Sequence, residues 1–204
     1  MVIRQVFFVT IILWVSVLPR TLGAIPSPLE LVRETSEKLL QELRDQRGNK
    51  QSTPDELHSL IEQIVLPHFD FERMARLAVG KYWRRASPSQ RKRFVEEFQK
   101  MLIRTYASSI AKYVDAQIDY LPLRRSSSKK SAIVRAEIVP PDGHPIEVSY
   151  SLYLRGEEWK VYDVIVDGVS LVTNYRSTFS REISASGFDA LINKIAQRNE
   201  QASR

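Results

Sequence analysis

The sequence predicts an α+β fold in which a helical layer packs on a curved, antiparallel, four-stranded sheet. Three observations predict it. Capped helix starts are written out before the middle of the chain, the hydrophobic period changes from helical to two near Asp115, and helical spacing returns beyond Leu171. Helices, then a strand meander, then helices again is an α+β order, with the longest helix expected across one face of the sheet.

The helix starts come first. Ser27-Pro28-Leu29-Glu30, Thr53-Pro54-Asp55-Glu56 and Ser87-Pro88-Ser89-Gln90 each place a hydroxyl at the cap, proline at the first helical position and Glu or Gln at the third. Leu29, Val32, Leu39, Leu40 and Leu43 then give an amphipathic helix that ends in the loop 47–52. The second helix carries Leu57, Leu60, Ile61, Ile64 and Val65 and stops before Pro67. A third, short helix starts at Asp70 and ends near Gly80. The helix after Ser87 is the longest. Phe94, Phe98 and Leu102 recur at four-residue spacing, and Met101, Ile103, Tyr106, Ile110 and Tyr113 widen the stripe beyond one face. A stripe that wide needs more than one apolar neighbour, or it lines a cavity.

Alternation takes over from Asp115. Ala116, Ile118 and Tyr120 form one set, Ala132 to Ile138 a second, Ile146 to Leu154 a third, and Trp159, Val161, Tyr162, Val164 and Val166 a fourth. Pro140-Pro141-Asp142-Gly143 and Arg155-Gly156-Glu157-Glu158 are turns short enough to join antiparallel neighbours, and Asp167-Gly168 is a further turn. The fourth strand is apolar at both parities apart from Lys160 and Asp163, so both its faces are expected to be covered. The loop from Arg124 to Lys130, with four cations and three serines, makes a basic knob suited to docking on an anionic membrane or partner. Val172, Tyr175, Phe179 and Ile183, then Phe188, Leu191, Ile192 and Ile195, close the chain as helices.

The N-terminus bears on compartment. Arg4, the apolar run from Val6 to Leu18 and the small residues Gly23 and Ala24 have the form of a secretory signal peptide over residues 1–24. The apolar run is shorter than the roughly 20 residues that a spanning helix needs. Residues 25–204 are then one domain, helical over about 25–113 and 169–200 and sheet over about 115–167. Removal of residues 1–24 takes two cations and no acid, lowering the formal charge from +6 to +4. That mild excess suits anionic lipid surfaces or an acidic partner and is much weaker than the clustered charge expected of a nucleic-acid binder. The chain has no cysteine, which excludes disulfides, thiolate metal sites and a cysteine nucleophile.

Catalytic signals are thin. His58, His68 and His144 are scattered without metal-ligand spacing, and there is no nucleophile elbow, phosphate loop or dinucleotide fingerprint. No cofactor is implied. Asp163, in an otherwise apolar strand, is the one carboxylate that burial could turn into a base, giving an isomerase- or hydratase-like alternative. It can equally be bonded to nearby backbone donors or an arginine.

The segment from Leu77 through Gly80-Lys81-Tyr82-Trp83-Arg84, then Ser87 to Arg91 and Phe94, resembles the MlaC family of periplasmic phospholipid carriers, also called toluene-tolerance proteins. Trp159 to Val164, Asp167 to Val172, Tyr175-Arg176, Phe179 and Gly187 to Ile192 continue the resemblance, with Asp167 where the family more often has Glu. The resemblance implies a nuclear-transport-factor-2-like sheet, a pocket for acyl tails and no enzymatic activity. It also implies two partners, an outer-membrane lipoprotein–porin complex and an inner-membrane ABC transporter. The candidate lipid-binding residues are Val79, Tyr82 and Trp83, then Phe98, Leu102, Tyr106 and Ile110 on the long helix. On the sheet they are Val148, Tyr150, Leu152, Val164 and Val166, with Val169 in the following turn expected to point inward.

Overall fold

The computed structural model describes residues 25–49, 53–123 and 128–201. Residues 1–24, expected to be a signal peptide, and Arg124 to Ser127 of the basic loop lie outside these; Lys129 and Lys130 are exposed in a turn. Among the described residues, six α-helices and a five-stranded sheet follow in the expected order: α1 (Pro28–Asn49), α2 (Pro54–Leu60), α3 (Phe71–Val79), α4 (Pro88–Lys112), β1 (Gln117–Tyr120), β2 (Ser131–Val139), β3 (Ile146–Arg155), β4 (Glu158–Val166), β5 (Val169–Ser170), α5 (Leu171–Ser186) and α6 (Phe188–Gln201).

All three caps form as written. Ser27 and Glu30, Thr53 and Glu56, and Ser87 and Gln90 exchange reciprocal backbone-to-side-chain hydrogen bonds, satisfying amides that a helix start leaves unpaired. The second helix does not stop at Pro67. It continues as a π-helical turn, Ile61–Val65, and a 3-10 turn, Leu66–His68, where proline occupies the first turn and has no amide to lose. Asp70 caps α3 through the Arg73 amide at 2.8 Å, and Gly80, at φ 55°, ends it.

The sheet is an antiparallel meander in the order β1-β2-β3-β4-β5. Its fifth strand arises because Asp167 (φ 47°) and Gly168 (φ 78°) both adopt the left-handed conformation, making a two-residue hairpin that pairs Val166 with Val169. The mixed parity of β4 has a local cause. Val164 and Val166 pair with Tyr150 and Val148, but after a bulge at Tyr162 it is Val161 and Trp159 that pair with Leu152 and Leu154. The bulge flips the parity, so one strand keeps one apolar face throughout.

The long helix is not laid across the sheet. Phe94, Phe98, Met101 and Leu102 pack among α3, α5 and α6, while Ile103 and Ala107 pack with Leu39, Leu43, Leu57 and Ile61 of α1, α2 and the π turn. Its wide stripe is divided between two helical clusters. The sheet is covered instead by α3 and α5 on one side and by the N-terminal half of α1, through Leu29 and Val32, on the other.

Candidate functional site

The candidate residues fall into separate regions. Val79, Trp83, Phe98 and Leu102 are buried in the helical core, with Tyr82 and Tyr106 packed against it, and Ile110 borders the cluster between α1, α2 and α4. Val148, Leu152 and Val164 are buried together on the sheet face beneath α1, with Tyr150 and Val166 beside them. The expectation placed the long helix and the sheet around one pocket, whereas their buried residues fall in different apolar clusters. The helix residues are consumed by contacts with other helices.

The helical half is closely packed around Phe98, with a small pocket of about 220 Å³ left beside Met101, Tyr175, Phe179, Leu191 and Ile195. Phe98 stacks on Phe94 at 5.6 Å and meets Tyr175 and Phe179 edge-on at 5.9 Å. Several residues of the recognisable segments are joints in this layer. Arg176 donates from Nε to the Leu77 carbonyl at the end of α3, and Arg91 donates to the Trp83 carbonyl while lying over its ring at 5.4 Å. Burial, together with Tyr175, pushes the Tyr106 phenol up strongly.

The sheet face is different. Val134, Val148, Leu152 and Val161 form its floor, and Ile138, Ile146, Trp159, Val166 and Leu171 are only half-buried around it. Val148 (4 % exposed) and Leu152 (0 %) show that the strand register faces as expected. Burial pushes the Tyr150 phenol up to about 12. Val169 departs from the inward orientation expected of it: its side chain is 54 % exposed. As the cross-strand partner of Val166 it shares that residue's face, but β5 is the sheet edge and nothing covers it, so it sits at the rim. Sequence reasoning read Tyr120, Ile138 and Ile146 as strand positions but did not name them among the candidate lipid-binding residues. It also missed Leu29 and Val32 of α1, for which only the helix stripe was visible.

The opposite face of β3 and β4 is polar at its centre and bonded to helices. Asp163 accepts from Ser170 Oγ at 2.6 Å and from the Val172 amide at 3.2 Å, at the start of α5, where a helix N-terminus favours a carboxylate. Asp70 accepts from the Tyr153 hydroxyl, and Arg73 lies between the rings of Tyr153 (4.0 Å) and Tyr162 (4.2 Å). His68 is lowered by burial and by nearby Lys160. Among the described residues no group of three His, Asp or Glu could hold a metal, and no helix is long and apolar enough to cross a membrane.

Comparison with known proteins agrees with this architecture. The chain is 24 % identical over 195 residues to the intermembrane phospholipid transport system binding protein MlaC of Haemophilus influenzae, covering 94 % of this chain and 91 % of that one. It is 28 % identical over 167 residues to the toluene tolerance protein ttg2D of Pseudomonas putida, covering 81 % and 77 %. A phospholipid-binding protein from Ralstonia solanacearum, solved in complex with a phospholipid, superposes with a TM-score of 0.78 at 27 % identity, over 88 % of this chain and all of that one. The family model for the MlaC protein matches residues 33–197, and the chain belongs to the MlaC family.

Proposed function

We propose that this chain is a phospholipid-binding transport protein that holds acyl tails against the sheet face beneath α1. The observation that carries the reading is the likeness, over 88 % of the chain, to a protein solved with a phospholipid. The half-covered aliphatic face supplies a matching surface. Moving a lipid through water exposes its tails, which at about 0.8 kcal/mol per methylene costs on the order of 20 kcal/mol for two tails of roughly 15 carbons. A protein that shelters both tails offsets most of that cost without chemistry, and a headgroup left in solvent needs no specific recognition.

In this reading the chain is exported, loses residues 1–24 and acts in the periplasm as a single domain over residues 25–204. It carries lipid between an outer-membrane lipoprotein–porin complex and an inner-membrane ABC transporter, and needs no cofactor. An isomerase- or hydratase-like role would require Asp163 to face a substrate, whereas its oxygens accept hydrogen bonds at the start of α5. Organic extraction of the purified protein, followed by lipid mass spectrometry, tests the proposal. Stoichiometric phospholipid is expected, and a clean extract from protein prepared without detergent contradicts it.

A further inference from the structure

One polar atom on the apolar sheet face has no partner. The Tyr120 hydroxyl is buried and makes no hydrogen bond among the described residues. Buried polar groups are nearly always satisfied, and leaving one unpaired is unfavourable. Tyr120 ends β1, and its pairing with Ala136 turns its ring toward the face that carries Val134, Val148 and Tyr150. Its neutral polar neighbours are the Tyr150 phenol and the Ser36 hydroxyl of α1, the exposed Arg33 lies over its ring at 5.1 Å with Glu37 also nearby, and burial raises both phenols.

The same ring borders a cleft of about 640 Å³ between α1 and β1, whose lining includes the exposed side chains of Glu34, Lys38 and Arg44. Polarity therefore falls from charged groups at the exposed lining, to neutral hydroxyls, to the aliphatic sheet face. A ligand group at the middle level should be an uncharged acceptor. A phosphate held there would lose its water to a few hydroxyls, while Lys38 and Arg44 among the mixed charges of the lining offer it a better place. A carbonyl oxygen needs a single donor. In a diacyl lipid the carbonyls lie between the tails and the headgroup, matching this order.

We propose that the Tyr120 hydroxyl donates a hydrogen bond to an ester carbonyl of the bound lipid, fixing the glycerol backbone where the sheet face meets the α1–β1 cleft. The proposal rests on the phospholipid reading above. It predicts that the protein distinguishes lipids by their linkage, because an ether oxygen is a much poorer acceptor than a carbonyl.

The test compares a diester phospholipid with the diether analogue of the same tails and headgroup, on lipid-stripped parent protein and on Tyr120→Phe. The parent should bind the diester about two- to tenfold more tightly, the effect of one hydrogen bond, and Tyr120→Phe should bind both equally. The lipid-free variant should unfold at the same temperature as the parent or higher, since it loses only an unpaired hydroxyl. Equal binding of both lipids by the parent, a preference retained in Tyr120→Phe, or a lowered unfolding temperature each overturns the role of Tyr120. Binding of neither lipid by the parent overturns the phospholipid reading itself.

Discussion

The two large apolar regions of this molecule are finished differently. Around Phe94 and Phe98 the rings of Tyr175, Phe179 and Phe188 close on one another, and both central phenylalanines are wholly buried. On the sheet face beneath α1, Val134 and Leu152 are equally buried, but Ile146, Trp159 and Val166 around them stay half-covered. The difference teaches that the amount of apolar surface does not mark a ligand site. The widest stripe in the sequence belongs to α4 and is shared between two helical clusters, which leave a pocket of about 220 Å³ beside Met101 and Phe179, whereas the half-covered aliphatic face is on the strands.

The sharpest break between the regions is expected from Phe98→Ala. Truncating a fully buried phenylalanine in a close-packed aromatic cluster should cost about 3–5 kcal/mol of stability, measured by urea unfolding of lipid-free protein. Its lipid affinity, measured well below the unfolding transition, should stay near the parent's. A selective loss of lipid with stability intact would place the tails in the helical core.

Val169→Glu should have the converse effect. At the rim the new carboxylate stays hydrated in the empty protein, so stability should change by less than about 1 kcal/mol. When tails cover the rim, the carboxylate loses water without a partner, at a cost of about 1–3 kcal/mol or more. Folded protein that copurifies with little phospholipid is the expected outcome, read by circular dichroism and lipid analysis. Parent stoichiometry in a folded variant would remove Val169 from the site.

A smaller effect separates two phenols. Burial raises Tyr150 from 10 to about 12, so the folded state keeps a proton that the unfolded chain releases. The stability it contributes is fully present below pH 10 and is lost as the pH rises toward 12. An ultraviolet titration should show a late phenol step that disappears in Tyr150→Phe. Bound lipid, by removing the remaining water, should shift that step higher while leaving Tyr106 of the helical core unmoved. A shift confined to Tyr106 would reverse the assignment.

Much of this was legible in the residues because its causes are local. Each capping box lies within four residues, and the strand alternation placed Val148, Tyr150 and Leu152 on one face together. Two errors came from reading local patterns too simply. The double parity of β4 is one face interrupted by a bulge at Tyr162, and the turn expected at Asp167-Gly168 is a hairpin that adds a fifth strand to the four read from the sequence. The candidate site was half legible for a different reason. The stripe of a helix says that it must be covered but not by what, and the choice of α1 over α4 as cover for the sheet depends on contacts between residues about a hundred positions apart.

The two regions each contain one tryptophan, Trp83 in the helical core and Trp159 on the sheet face. Quenching by a phospholipid with brominated acyl chains can therefore be read separately from each, using Trp83→Phe and Trp159→Phe in protein lacking residues 1–24 and with them Trp14. Bromine quenches only at close range. If the tails lie beneath α1 on the sheet, the protein retaining Trp159 should be strongly quenched as lipid is added and the protein retaining Trp83 little affected. Strong quenching of Trp83, with Trp159 unchanged, would contradict the account.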